Sequence, residues 1–366
     1  MSKQTILFVM HELELGGAER VVSNLVNNLD REKFNVHLCL FKKKGILLKG
    51  LREDIQLHDL KASRVMSSGH KLFGLILQLK PDVVFSSITH VNLLIGMFIP
   101  FLRIVNRDIR FITREVNIPS IRAKYMKKSK TMDRLYRYVI GNFDAIVAQS
   151  EYMCRDLSVS YQLDMQKIKI INNPLDTEMI IDSLEKGQDR VCFGGTNTIN
   201  LLAVGNFRIQ KGFDLLIRVL PYLDERFHLY IIGDGGERAN IEKAIIDLGV
   251  ADRVTLLGFQ NNPYIYMQQA DLFLLSSRYE GFPNVVLEAN QCGTFVVAFQ
   301  VPGVDQEIIQ EGINGCLIEF KNSKAFADAI MNHAVSKDPK EIRETTQKYR
   351  VEKIVKDYER LFMFEG

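Results

Sequence analysis

Two carboxylates with seven residues between them, Glu280 and Glu288, flank the stretch of this chain best suited to chemistry. The apolar run Asp271-Leu272-Phe273-Leu274-Leu275 leads into Ser276-Ser277-Arg278-Tyr279-Glu280-Gly281-Phe282-Pro283-Asn284-Val285 and reads as a buried strand. Gly281 and Pro283 then break the chain, and Pro283 suits the first turn of a helix because its missing N–H costs nothing there. Glu280 therefore falls in a strand-to-helix loop, and Glu288 lies about two turns into the helix. Free amides at such a helix start favour an anion. Alone, two such glutamates are equally well read as ordinary loop and helix residues.

Four more strand ends carry the same promise. Gly205-Asn206-Phe207-Arg208-Ile209-Gln210-Lys211-Gly212 sets Arg208 and Lys211 beside glycines. Such cations can clamp a diphosphate, Arg by a planar fork and Lys as a point charge, or can simply be surface charges. Gly16-Gly17 follows the first apolar run and opens a helix, where backbone can approach a phosphate closely; it can also be a bare tight loop. It is not the GxGxxG dinucleotide fingerprint. Gly233-Asp234-Gly235 reads first as a plain turn, and Gly258-Phe259 could wall a base pocket.

Other chemistries find little support. The five cysteines, Cys39, Cys154, Cys192, Cys292 and Cys316, come no closer than 24 residues, so no CxxC pair exists and a reduced cytosolic chain is expected. Asp-x-Asp, a frequent recruiter of divalent metal, does not occur. Ile6–Met10 is too short for a signal-peptide core, and Val91–Leu102 falls short of the ~18–20 residues of a membrane span, though it could lie on a bilayer surface.

The elements that must hold these residues come in two runs. Apolar segments at Thr5–Met10, Asn35–Phe41, Asp82–Ser86, Arg110–Thr113, Asp144–Ala148 and Lys169–Asn172 alternate with helical spacing over Ala18–Leu29, Leu72–Leu79, Val91–Ile104 and Tyr125–Ile140. The pattern restarts with strands at Asn200–Val204, His228–Ile232, Val254–Leu257, Leu272–Leu275, Thr294–Ala298 and Gly315–Ile318, and helices at Lys211–Leu220, Glu237–Leu248, Asn284–Cys292 and Ala325–Val335. Such alternation predicts parallel sheets covered by helices. At 366 residues two domains are expected: 1–182, a linker at 183–199, 200–348, and a helix at 349–366 that could return to the first domain. Ligands of such sheets bind beyond the carboxyl ends of the strands, so a cleft between the domains is the natural site.

Charge divides unevenly beneath the net +3. Residues 1–180 hold 27 Lys/Arg against 18 Asp/Glu, with 11 against 3 over Arg103–Arg137. That stretch is either a solvated face or a surface for anionic lipid, phosphorylated substrate or nucleic acid.

As an ordered set, Gly-Gly-Ala-Glu-Arg at 16–20, Gly-x-x-Arg-x-x-Lys-Gly, Gly-Asp-Gly, Leu-Gly-Phe, Glu280-x7-Glu288 and Gly303…Glu307-Ile308-Ile309…Gly312…Gly315 closely resembles the retaining glycosyltransferases of family 4. Glu115-Val116-Asn117 and Asn262-Pro263-Tyr264-Ile265-Tyr266-Met267 also resemble bacterial transferases that extend polyprenyl-diphosphate-linked glycans. The resemblance implies an α/β GT-B fold, two Rossmann-like doubly wound domains facing a central cleft. It implies Glu280 beside the donor sugar, Glu288 on the nucleotide ribose, Arg208 and Lys211 on the leaving diphosphate, and Gly16-Gly17 meeting those phosphates. Amides at Gly281-Phe282 and Asn284-Val285 would hold sugar hydroxyls or phosphate, and Gly233, Gly258 and Phe259 would border the base. Many relatives place an arginine directly after the glycine where this chain has Asn206, and a histidine where it has Arg114-Glu115. Arg114, Glu115 and His90 are therefore candidate sugar or acceptor contacts, with His11 and His90 read as structural by preference.

The implied reaction is transfer with retention from a nucleotide sugar, UDP-N-acetylhexosamine favoured, to a lipid-diphosphate-linked or growing glycan of the cell surface. It needs no metal and no cofactor, because the nucleotide sugar is a substrate. The expected place is the cytoplasmic face of the inner membrane, on anionic lipid. The rival readings are a GT-B epimerase or phosphorylase, and a non-catalytic nucleotide-sugar binder. A nucleic-acid partner is not expected, since the basic stretch lacks interleaved stacking aromatics.

Overall fold

The computed structural model describes residues 3–14, 16–62, 64–125, 130–186, 193, 197–334 and 338–364. The chain forms two compact units, the first made of residues 1–174 and 351–366, the second of residues 175–350. In the first, seven strands, β1 (Gln4–Met10), β2 (Phe34–Leu40), β3 (Gln56–Asp59), β4 (Val83–Ser86), β5 (Arg110–Arg114), β6 (Ala145–Ala148) and β7 (Ile168–Ile170), lie in the order β3-β2-β1-β4-β5-β6-β7. In the second, β8 (Ile199–Val204), β9 (Phe227–Ile232), β10 (Val254–Gly258), β11 (Leu272–Leu275), β12 (Val296–Gln300) and β13 (Gly315–Glu319) lie in the order β10-β9-β8-β11-β12-β13. Every strand pair in both sheets is parallel.

The strands are apolar on both faces because helices cover both. In β1, Ile6, Phe8 and Met10 join one core with helix Gly17–Asn28, while Leu7 and Val9 join the other with helices Gly69–Leu79, Thr89–Val105 and Lys130–Gly141. The C-terminal helix Val351–Met363 completes the first of these cores. Its Tyr358 and Phe362 rings meet Phe8, Phe34 and Phe85 edge-on at 5.8–6.3 Å.

Both strand orders reverse direction once, between β1 and β4 and between β8 and β11. At such a reversal the loops leaving the two strands diverge and open a crevice at the carboxyl edge. Four of the seven candidate loops leave these strands: Gly16-Gly17 after β1, His90 after β4, Arg208–Lys211 after β8 and Glu280 after β11.

Several boundaries differ from expectation. β3 (Gln-Leu-His-Asp) is an edge strand with one apolar residue, too polar to register as a strand. The chain leaves the first unit at Pro174, and Thr177–Lys186 is a helix of the second unit, anchored by buried Thr177 and Ile180. Most of the expected linker, 187–192 and 194–196, lies outside the described residues, as does Cys192. The helix expected over Lys211–Leu220 is broken at Gly212, whose φ of +66° ends one turn before helix Phe213–Ile217 begins.

Candidate active site

In the second unit the loops after β8 and β11 are bound to each other. Arg278 forms a two-pronged ion pair with Asp214, at 2.8 and 2.7 Å, and its Nη1 also donates to the Ile209 carbonyl at 2.8 Å. The Arg278 amide donates to Gln210 O (2.7 Å), the Gln210 side chain to Tyr279 O (3.0 Å), and Ser276 Oγ to Lys211 O (3.0 Å). Gly212 fits this clasp because a Cβ there would fall 2.2 Å from the Ser276 carbonyl oxygen. Burial opposes ionisation of Asp214, but the hydrogen bonds and charge of Arg278 outweigh it and hold the carboxyl below its ordinary value.

The clasp brings Lys211 and Glu280 together. Lys211 Nζ lies 2.7 Å from Glu280 Oε1, and Ser277 Oγ donates to the same oxygen at 2.5 Å. Glu280 is 5% exposed. Behind it, its amide donates to Pro302 O, and a Cβ on Gly303 (φ +80°) would fall 1.8 Å from its carbonyl oxygen. Arg208 is exposed, and its side chain has no hydrogen bond or ion pair among the described residues. One cation is thus bound to the buried acid and one is uncommitted.

Helix Asn284–Cys292 starts just past this pair. The amides of Asn284 and Val286 are taken by Phe282 O and Pro283 O, which leaves those of Phe282 and Val285 to offer a ligand. Gly281 is buried, and Phe282 is fixed by an edge-on contact with Tyr349 at 5.7 Å. Glu288 lies half-buried in the second turn; burial, with the Glu288 charge added, pushes the Cys292 thiol up.

Gly233 and Gly235 answer to packing. At φ of +143° and +154°, a Cβ on either would strike the carbonyl oxygen of Gly205 (1.9 Å) or Phe207 (2.6 Å). The Gly233 amide donates to Gly258 O, and Phe259 beyond it is 60% exposed. All three stand at the same carboxyl edge as Lys211 and Glu280.

In the first unit, Gly16 precedes helix Gly17–Asn28, and the Glu19 carboxylate folds back over it, 2.0 Å from where a Cβ would be. His11 and His90 meet edge-on at 5.5 Å, beyond β1 and β4. Arg114 and Glu115 are held inside. Arg114, 1% exposed, donates to Ser87 Oγ (2.8 Å) and Asn173 Oδ1 (2.5 Å), while Glu115 takes Asn92 Nδ2 at 3.3 Å and its carbonyl takes Gln149. Burial lowers the Arg114 guanidinium from its ordinary value, and Tyr358, Glu115 and Glu19 oppose that.

Sequence reasoning missed the residues that set this geometry: Ser277, Arg278 and Gln210, and Asp214. They lie within or beside motifs already singled out, but Gln210, Asp214 and Arg278 act through pairings across more than sixty residues, whereas Ser277 reaches Glu280 only three residues on.

Two α/β units with carboxyl-edge crevices and an acid–cation pair are what a nucleotide-sugar enzyme of GT-B fold requires, and comparison with known proteins agrees. Residues 195–350 match the family model for "Glycosyl transferases group 1", and residues 15–179 match that for "Glycosyltransferase Family 4". The chain belongs to these glycosyltransferase families, one to each half. It is 29% identical over 341 residues, 89% of each chain, to the N-acetylgalactosamine-N,N'-diacetylbacillosaminyl-diphospho-undecaprenol 4-alpha-N-acetylgalactosaminyltransferase of Campylobacter jejuni. Its fold is that of Anabaena HepE in complex with UDP-glucose (TM-score 0.81, 20% identity, 98% of this chain and 99% of that one). It is equally that of sucrose-phosphate synthase from Thermosynechococcus elongatus (TM-score 0.81, 17% identity, 99% of each). One architecture thus accompanies different chemistries, and the fold alone does not choose an acceptor.

Proposed function

We propose that this protein transfers a sugar, with retention, from a nucleoside diphosphate sugar to a lipid-diphosphate-linked glycan in cell-surface glycan synthesis. The observation that carries the reading is the Lys211–Glu280 pair at the β8/β11 reversal, with Arg208 uncommitted beside it. Breaking the anomeric C–O bond sends its electrons to the departing phosphate, and cations placed there stabilise that charge as it grows. Arg208 and Lys211 supply it without a metal. The acceptor hydroxyl attacks the same face, forms the new C–O bond and passes its proton to the departing phosphate oxygen. Glu280, bound through one oxygen to Lys211 and Ser277, keeps its other oxygen for the electron-poor sugar and forms no covalent intermediate.

The donor site then runs along the carboxyl edge: sugar at Glu280, phosphates at Arg208, Lys211 and the Phe282 and Val285 amides, ribose at Glu288, and base towards Gly233, Gly258 and Phe259. The name of the Campylobacter relative supports an N-acetylhexosamine donor and a polyprenyl-diphosphate acceptor. Work on such an acceptor puts the enzyme at the cytoplasmic face of the inner membrane. Among the described residues no helix is long and apolar enough to cross a membrane.

A thermal-shift screen of nucleoside diphosphates and their sugars tests the donor, since a ligand that binds only the folded state raises its stability. UDP and UDP-N-acetylhexosamines should stabilise most. Transfer in the presence of EDTA should persist; loss restored by a divalent ion refutes the cation-only scheme. Consumption of donor to an isomer without acceptor would make the protein an epimerase instead.

A further inference from the structure

The basic stretch Arg103–Arg137 does not act as one patch. Arg103 is spent on Asp144 at 2.6 Å, Arg110 lies 3.8 Å over the Phe364 ring, and Arg114 is buried. Arg134 and Arg137 differ. They stand three residues apart on helix Lys130–Gly141, are exposed, and their side chains have no hydrogen bond or ion pair among the described residues. Both line a cavity of about 430 Å³ with Tyr138, Asn142 and Lys167. Ile146 and Leu163, both buried, form part of its lining. Lys167 Nζ is steadied by the Gly141 carbonyl at 2.9 Å. The one acid on its wall, Asp164, is occupied as a cap, accepting the Gln166 amide at 2.9 Å.

This cavity lies at the wrong end of the sheet to belong to the donor site. Gly141 and Asn142 precede β6 and Lys167 precedes β7, so it opens at the amino edge, one strand length or roughly 15 Å from the carboxyl-edge loops of this unit. Its surroundings are apolar as well as basic. Leu135 and Tyr138 are exposed on the same helix. Helix Thr89–Val105 lies alongside, with Gly96 against Val139 and the Gly96 carbonyl taken by Asn142, and it exposes Phe101, Ile104 and Val105 at its end. Two unpaired guanidiniums and an ammonium facing a cavity, beside exposed aromatic and aliphatic side chains, fit a phosphate presented at an apolar boundary.

We propose that the Arg134–Arg137–Lys167 cavity binds the phosphate of an anionic phospholipid headgroup and seats this unit on the bilayer. The inference rests on the membrane placement proposed above and assigns it a site; it does not depend on which sugar is transferred.

Pelleting of the full chain with vesicles tests it, using phosphatidylglycerol mixed with phosphatidylcholine against phosphatidylcholine alone. The wild type should bind the mixed vesicles, and salt should weaken that binding. R134Q/R137Q should lose roughly twenty- to thirtyfold in affinity, the effect of two near-surface cations. K243Q/K340Q, the same charge change on exposed lysines of the second unit, should lose less than about threefold, because those lysines do not line this cavity. R134K/R137K should recover part of the loss, charge returning without the planar fork. The proposal is overturned if the cavity variant loses no more than the control, or if neutral vesicles bind equally. Stabilisation by glycerol 3-phosphate without vesicle binding would also overturn it, the source then being a soluble phosphate ester. Unchanged melting of R134Q/R137Q excludes misfolding, and its transfer to a detergent-dispersed acceptor should stay near normal. If R134Q/R137Q instead kept its vesicle binding but lost transfer to both dispersed and vesicle-borne acceptor, the membrane site would be overturned, while the transfer reaction of the wild type would stand.

Discussion

The Lys211–Glu280 contact allows a quantitative test. Glu280→Gln keeps the shape and one acceptor oxygen but removes the charge that Lys211 faces. The two side chains are 23% and 6% exposed, so water replaces little of what is lost. Hydrogen bonds to charged groups are worth about 1.5–3 kcal/mol, and one such contact is weakened here. A fall of ~2 kcal/mol in the stability of the second unit is expected, which for a unit of this size lowers its Tm by ~4–8 °C. Lys211→Met should cost a similar amount by leaving Glu280 with Ser277 alone. In the double variant the losses should not add: the cycle should return a coupling of ~1.5–3 kcal/mol, well beyond the ~0.5 kcal/mol seen for independent sites. Transfer by Glu280→Gln, measured as nucleoside diphosphate released with acceptor present, should fall by ~10²–10³. Additive melts would show that the pair does no structural work. Near-normal transfer would refute the assignment of Glu280 to the sugar.

Three further outcomes follow from the same geometry. Asp214→Asn should loosen the clasp that aligns Lys211 with Glu280, by ~1–3 kcal/mol at neutral pH. Because the folded Asp214 pKa is depressed, the wild-type advantage should persist above the unfolded value near ~4 and vanish as pH falls through the folded one, followed by urea melts over pH 3–7. His37 and His58, stacked with ring nitrogens 2.9 Å apart, are both lowered mainly by burial, so the folded state resists protonation. Stability of the first unit should therefore be full above ~6.5 and drain as pH falls below it, and His37→Gln/His58→Gln should flatten that slope. Gly303→Ala, at φ +80° with Glu280 O in the way, should displace the Glu280 backbone and reduce transfer far more than Gly312→Ala, where φ is also positive but no atom lies within 4 Å.

The sequence displayed the parts of this site that depend on local order. Leu272–Leu275 followed by serines and a Gly-x-Pro break is a strand end whatever it packs against, and the same holds for Val204-Gly205 and Ile232-Gly233. Six strands of the second unit were readable for that reason. β3 was not, since an edge strand can be polar, and helix Thr177–Lys186 was hidden by its short apolar face. Pairings were the larger gap. Asp214 and Arg278 meet across 64 residues, and neither residue type nor spacing signals that. The basic stretch misled in the opposite way. Charge counting treats Arg103, Arg114 and Arg137 alike, whereas packing gives one to Asp144, buries another and leaves the third to solvent.

The return of helix Val351–Met363 to the first sheet bears on how the protein is made. Phe8, Phe34 and Phe85 are synthesised before the second unit, yet the rings that cover them, Tyr358 and Phe362, leave the ribosome only after it. Domains usually fold in the order they emerge, at ~5–20 residues per second, so residues 175–350 impose a wait of ~10–35 s on an unfinished core. The second unit, being continuous, can fold in that interval. The nascent chain therefore passes through a state in which the unit translated second is complete while the first still shows aromatic surface, and that surface is where a chaperone would be expected to bind.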